Sequence, residues 1–259
     1  MNPVVIGPSQ LLLCLIFVAI AGGASLAMGL RLERDLLWGT VRTFAQLFLV
    51  GYVLDTVFAI DTPLLVVLVF VFMVFWAAHA VRGRVRSSGV SVFLPTFLSM
   101  VISYLVVTML VTAVIVQVDP WWAPQYFIPL GGMIAGNSMN AISVCLERLL
   151  TGLRERREAI ELALSLGANY REATSDLLAD AVRAGMIPSI NALMTVGLVS
   201  LPGMMTGQIL AGAEPISAVK YQIVVMLMLV ASTAIGAVVV AYVVRRRCFT
   251  RAQQLKETI

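Results

Sequence analysis

The chain has 259 residues, 60% hydrophobic and 12% charged, with a net charge of +4 and a mean hydropathy of +0.95. A soluble domain carries about 25% charged residues, so this composition excludes an ordinary soluble fold and describes an all-α, polytopic membrane protein. The basic residues sit at span edges rather than in a nucleic-acid patch, and Cys14, Cys145 and Cys248 are dispersed, with neither metal-type spacing nor a disulfide framework.

A helix needs about 20 apolar residues to cross a bilayer. The sequence predicts about seven spans, near 11–30, 36–57, 63–81, 92–116, 125–146, 187–211 and 219–244. The first ten residues carry no basic stretch, which favours an uncleaved first span over a signal peptide. No internal repeat or linker interrupts the chain, so residues 1–259 read as one transmembrane domain with a polar loop at about 148–186.

Sixteen of the eighteen Lys and Arg fall after spans one, three, five and seven. Basic loops stay in the cytoplasm, so the N-terminus is expected outside and the C-terminus inside, in a cell (inner) membrane. The exceptions are Lys220, at the start of span seven, and Arg42 in span two. Arg42 shares a helix face with Gln46; it either snorkels to the nearby cytoplasmic edge or takes a partner at depth. His79, the one histidine, is read as structural.

Span five is unusually polar. Gly131, Gly132 and Gly136 permit close helix approach or a break, and Asn137, Ser138, Asn140 and Ser143 bring hydrogen-bonding groups to membrane depth. Such groups face protein or water, not lipid. They form either an interhelical clamp or a substrate path or dimer seam. Trp121, Trp122 and Tyr126 mark the outer interface of this span. In span six, Pro202 and Gly203 predict a helix break. Met204 and Met205 follow, and Met133 and Met139 lie in span five. Thioethers bind soft metals, but they also fill ordinary cores.

Residues 154–188 are too polar for lipid and predict two short helices with a turn between them. Ile160, Ala163, Leu164 and Gly167 share one face of the first; Glu158 and Glu161 lie mostly off it. Gly167 suits a left-handed helix end. Asn169 suits an N-cap, with Glu172 completing a capping box. Ala173, Leu177, Ala181 and Ala184 stripe the second helix, and Pro188 is expected to open the next span. The pattern fits either docking to a partner or resting on the membrane surface.

The segment Glu161–Ala168 (E-L-A-L-S-L-G-A), followed by Ile187-Pro188, resembles the EAA loop of ABC transporter permeases, except that Leu162 replaces the family's first alanine. The segments 132–140, 195–207 and 211–223 extend the likeness, which covers most of the chain from Ile128 onward. On them the chain is identified as a member of the FetB-type permeases, membrane subunits of a bacterial ABC iron exporter, to which plant aluminium-tolerance permeases are similar.

The resemblance implies iron efflux, which in bacterial members goes with resistance to oxidative stress. The plant relatives point instead to a nucleotide sugar. It also implies a separate ATPase partner, a homodimer of the permease, and a coupling helix through Glu158, Glu161, Ala163, Gly167 and Ala168. The sequence agrees that ATP and Mg bind elsewhere: a phosphate loop needs Gly-Lys, and the two lysines follow Val219 and Leu255. No cofactor and no catalytic residue are expected on this chain, because it lacks an intramembrane His/Asp/Glu cluster. A passive channel or scaffold remains a third class, and it would need no polar cytoplasmic loop. The candidate path residues are Arg42, Gln46, Met133, Asn137, Ser138, Met139, Asn140, Met204 and Met205.

Overall fold

The computed structural model describes residues 7–85 and 91–257, and these are helical with no strand longer than an isolated bridge. Arg86, one of the basic residues after span three, lies outside them. The chain divides into two compact units, residues 1–61 with Leu210–Gly212, and residues 62–209 with 213–259.

In the first unit, α1 (Pro8–Leu13) and α2 (Leu15–Ala27) form one apolar run, followed by α3 (Glu33–Ile60). Proline at N1 opens α1, where its missing N–H costs nothing. The α2–α3 turn needs left-handed backbone at Gly29 and Arg31. Ser25 ties it, donating to Glu33 Oε1 at 2.8 Å and accepting the Leu32 N–H at 3.0 Å. Large apolar side chains such as Phe17, Trp38 and Tyr52 stay exposed, as lipid-facing residues do.

The second unit is a bundle around one long helix. Its elements are α4 (Pro63–Arg84), α5 (Phe93–Leu110, extended by a wider turn over Val111–Ile115), α6 (Pro124–Glu155), α7 (Arg157–Ser165), α8 (Ser175–Thr195), α9 (Gly203–Leu210) and α10 (Pro215–Arg247). Helix α6 packs against α4, α8 and α10, and against α5. Phe70, Tyr104, Phe127, Ile134, Ile142, Leu149 and Leu153 are sealed in its core. Phe70 meets Phe127 edge to face at 5.5 Å. Gly131 makes room for that ring, since a Cβ there would stand 2.7 Å from Phe70.

Among the described residues, five helices are long and apolar enough to cross a membrane: Pro8–Ala27, Glu33–Ile60, Pro63–Arg84, Phe93–Ile115 and Pro215–Arg247. Three expectations about boundaries change. Helix α6 is unbroken and runs on to Glu155; Gly131 and Gly132 make room for Phe70 and Met73, while Gly136 lies open. Helix α8 passes straight through Pro188, so the proline opens no new helix; the second helix of the polar loop and the start of the next apolar run are one element. The break expected at Pro202 and Gly203 begins earlier, at Val196. Gly197 (φ +84°) takes the left-handed turn that ends α8, and its N–H bonds the Ser200 carbonyl at 2.9 Å. Gly203 then begins α9.

Candidate functional site

Helix α6 carries an uncovered stripe. Pro129, Gly136, Asn137, Asn140 and Val144 are exposed and Met133 is half-buried, at the three- and four-residue steps of one helix face. The opposite face, with Ile134, Ser138, Ile142 and Cys145, is buried. The two asparagines are satisfied differently. Asn137 donates from Nδ2 to the Met133 carbonyl of its own helix at 2.9 Å. Asn140 accepts from Arg84 Nη1 at the end of α4, the step that joins the two helices.

Ser138 parts company with these neighbours. Its hydroxyl lies 3.4 Å from Thr233 Oγ1 on α10, fully buried. The Tyr104 hydroxyl of α5 stands beside Ser138 but falls short of hydrogen-bond geometry. Ser138 is thus an interhelical contact. Met139 is half-buried on the flank of α6, while Met204 is half-buried and Met205 buried on α9. Arg42 and Gln46 are exposed on α3, in the other unit. Among the described residues no group of three or more His, Cys, Asp or Glu could hold a metal ion.

The polar loop forms a second site. Helix α7 buries Ile160 and half-buries Ala163 and Leu164. Glu158 is exposed, and Glu161 pairs with Arg157 at 3.2 Å. Gly167 has φ +98° and ends the helix turn, with Ala168 half-buried after it. The capping box lies at the predicted residues. The Asn169 N–H donates to Glu172 Oε2 at 2.9 Å, and Asn169 Oδ1 accepts the N–H groups of Arg171 at 2.9 Å and Glu172 at 3.1 Å. It organises a turn ahead of α8 rather than the helix itself, which starts at Ser175. Leu177 and Ala181 seal α8 against the bundle.

Sequence reasoning missed two features here. Leu162 and Leu166 are 61% and 79% exposed, an apolar pair four apart, the first on the outer face of α7 and the second capping its end. Leu162 had stood out only as a departure from the alanine of the resembled loop. The second feature is the segment after α10, which folds back on the loop. Tyr170 packs on Phe249 at 5.3 Å between ring centroids, and Arg157 donates to the Lys256 carbonyl at 2.7 Å. A polar cleft of about 870 Å³ separates the two segments. The signal was Phe249 and Leu255, two large apolar residues at the two ends of the mostly polar stretch 249–255. The Arg171 guanidinium, bonded to the Tyr170 hydroxyl, lowers the Tyr170 pKa against the opposing effect of burial, and the charges of Arg171, Arg245 and Arg246 add to it.

The sequence matches the family described as "Uncharacterised protein family (UPF0014)" over residues 8–249. It is 40% identical over 237 residues to a UPF0014 membrane protein of Synechocystis, covering 90% of this chain and 92% of that one. It is 35% identical over 258 residues to the protein named "Probable iron export permease protein FetB" of Escherichia coli, covering 100% and 98%. It is 32% identical over 249 residues to "Protein ALUMINUM SENSITIVE 3" of Arabidopsis thaliana, covering 93% and 87%. No solved structure matches.

Proposed function

The chain belongs to the UPF0014 family of membrane permeases, and on that premise we propose that it is the membrane subunit of an ABC-type exporter whose cargo is iron. It works as one permease domain with seven spans, α6 and the broken α8–α9 segment supplying two beyond the five apolar helices. The basic edges support a cytoplasmic C-terminus and α7–α8 loop, with the protein in the inner membrane. A separate ATPase binds ATP and Mg and docks on the loop, and a second copy of the permease completes the transporter.

The observation that carries this reading is the outer face of α7. A nine-residue helix held by a capped turn, with Leu162 and Leu166 uncovered, is a surface made for a protein partner. ATP closes the ATPase dimer, α7 moves with it, and the bundle swings a midplane site from inside to outside. The uncovered α6 stripe is the path or the seam that this motion exposes, since Asn137 and Asn140 are costly against lipid.

One observation favours a second reading for the cargo. The stripe offers amides and the Arg84 guanidinium rather than the carboxylates or imidazoles that Fe(II) prefers. A nucleotide sugar or other organic solute would suit those donors. The test is ATP hydrolysis by the permease–ATPase complex in liposomes, with Fe(II) or a nucleotide sugar supplied, beside a Gly167→Pro permease. Stimulation by iron that the variant loses supports both cargo and coupling, and stimulation by the sugar alone selects the second cargo. Failure to form any complex with an ATPase removes the reading and leaves an uncoupled channel or scaffold.

A further inference from the structure

Helix α10 ends at Arg247, and the segment beyond it closes on itself. Phe249 and Leu255 form an antiparallel bridge. The Lys256 N–H donates to the Cys248 carbonyl at 3.0 Å and the Thr250 N–H to the Gln254 carbonyl at 2.9 Å. The Gln254 N–H returns to Thr250 Oγ1 at 3.1 Å. Cys248, Phe249 and Leu255 are buried in this short polar segment. Terminal segments fray unless something ties them down.

Here the ties run to the docking loop at both ends of α7. At its start, Arg157 Nη2 donates to the Lys256 carbonyl at 2.7 Å. Beyond its end, the Tyr170 N–H donates to Gln253 Oε1 at 3.1 Å, and the Tyr170 ring rests on Phe249. The buried Arg245 guanidinium, in the last turn of α10, lies 5.7 Å from the Tyr170 ring and 4.7 Å from that of Tyr242. Helix α7 is too short to hold its position through local bonds alone. Its place therefore depends on what grips the loop, and the C-terminal turn grips the loop at two points, Arg157 in α7 and Tyr170 beyond it.

We propose that the C-terminal turn, Cys248–Lys256, is the second arm of the ATPase-docking surface. It fixes α7 and the Tyr170 turn to the end of α10, so that force reaching the loop enters α10 directly, and through it α5, α6 and α8, on which α10 packs. The cleft between the arms sets Glu161, Ser165 and Asn169 opposite Arg251, Gln254 and Glu257. It takes a polar, charged segment of the ATPase rather than an apolar one. The docking role rests on the function proposed above; the grip on α7 does not.

Two measurements on the full-length permease in nanodiscs separate these parts. The first is amide hydrogen exchange in a Phe249→Ala, Gln253→Ala double variant. We expect residues 166–174 to exchange about tenfold faster or more, with the interior of α6 and α10 unchanged. Unchanged exchange at 166–174 overturns the grip. The second is ATP hydrolysis by the same variant assembled with its ABC ATPase subunit, expected to lose cargo stimulation as Gly167→Pro does. Faster exchange with full stimulation overturns the docking arm. A Gly167→Pro permease that stays fully stimulated removes the docking loop, and the arm's docking role with it, while exchange alone then decides the grip.

Discussion

Gly185 on α8 lies so close to the main chain of α6 that a Cβ there would stand 2.7 Å from the Ala141 carbonyl oxygen and 3.0 Å from the Cβ of Cys145. Backbone cannot move aside as a flexible side chain can. Close approach through small residues is also how membrane helices gain packing energy, because lipid supplies no hydrophobic drive between them. Gly185→Ala should therefore push α8 away from α6 and cost about 1–3 kcal/mol. Gly136→Ala, on the open stripe, meets nothing within 4 Å and should be neutral. Thermal unfolding of the two purified variants checks the contrast; equal melting temperatures would mean that α8 is free to shift.

The Ser138–Thr233 hydroxyl pair, 3.4 Å apart between α6 and α10, separates structure from transport. Hydrogen bonds between membrane helices average about 0.6 kcal/mol, so a Ser138→Ala, Thr233→Val cycle should give a coupling of that size. Transport should fall no further than stability does. Asn140→Ala should behave differently, losing more transport than its interhelical bond to Arg84 costs in stability, because Asn140 is exposed on the stripe. A Ser138→Ala permease that is stable but inactive would return Ser138 to the substrate path.

Legibility in the sequence tracked the range of the forces involved. Gly167 and the Asn169–Glu172 box were legible because each acts within four residues. The apolar stripes of α7 and α8 were legible because helical period is written into Ile160, Leu177 and Ala181. Pro188 misled because hydropathy changes near it, although a helix supported by neighbours tolerates a proline. Gly197 was the better signal for the end of α8, since left-handed backbone ends a helix where a proline need not. Asn137, Ser138 and Asn140 looked alike in the sequence. Only the packing of α10 and α4 on α6 sends the serine inward and the asparagines outward. The grip of Phe249 on Tyr170 joins residues far apart in the chain and had no local trace beyond two apolar residues.

Gly167 tests the turn itself. Its φ is +98°, yet a Cβ there would meet nothing within 4 Å, so any cost of substitution is in the backbone. Gly167→Ala should destabilise the turn by about 1–2 kcal/mol. Gly167→Asn should be milder, because asparagine tolerates left-handed backbone better than alanine. In the permease–ATPase complex, stimulated hydrolysis should rank glycine above asparagine above alanine. Equal activity for alanine and glycine would show that the turn carries no coupling.

Cys248 reports on the C-terminal turn through pH. Burial raises its thiol pKa from 9.0 to about 12, against a small lowering by Lys256. The folded state therefore disfavours the thiolate. The thiol's contribution to the closed turn is fully present below pH 9.0, its ordinary value, and is lost progressively as the pH climbs toward about 12. In a Cys14→Ser background, which removes the exposed thiol, iodoacetamide at about pH 8 should leave Cys248 unmodified, because the reactive thiolate is scarce and buried. Phe249→Ala should open the turn and raise the labelling rate at the same pH. Rapid labelling of Cys248 in the otherwise unaltered chain at that pH would mean the turn is open, and that Arg157 and Tyr170 are not held by it.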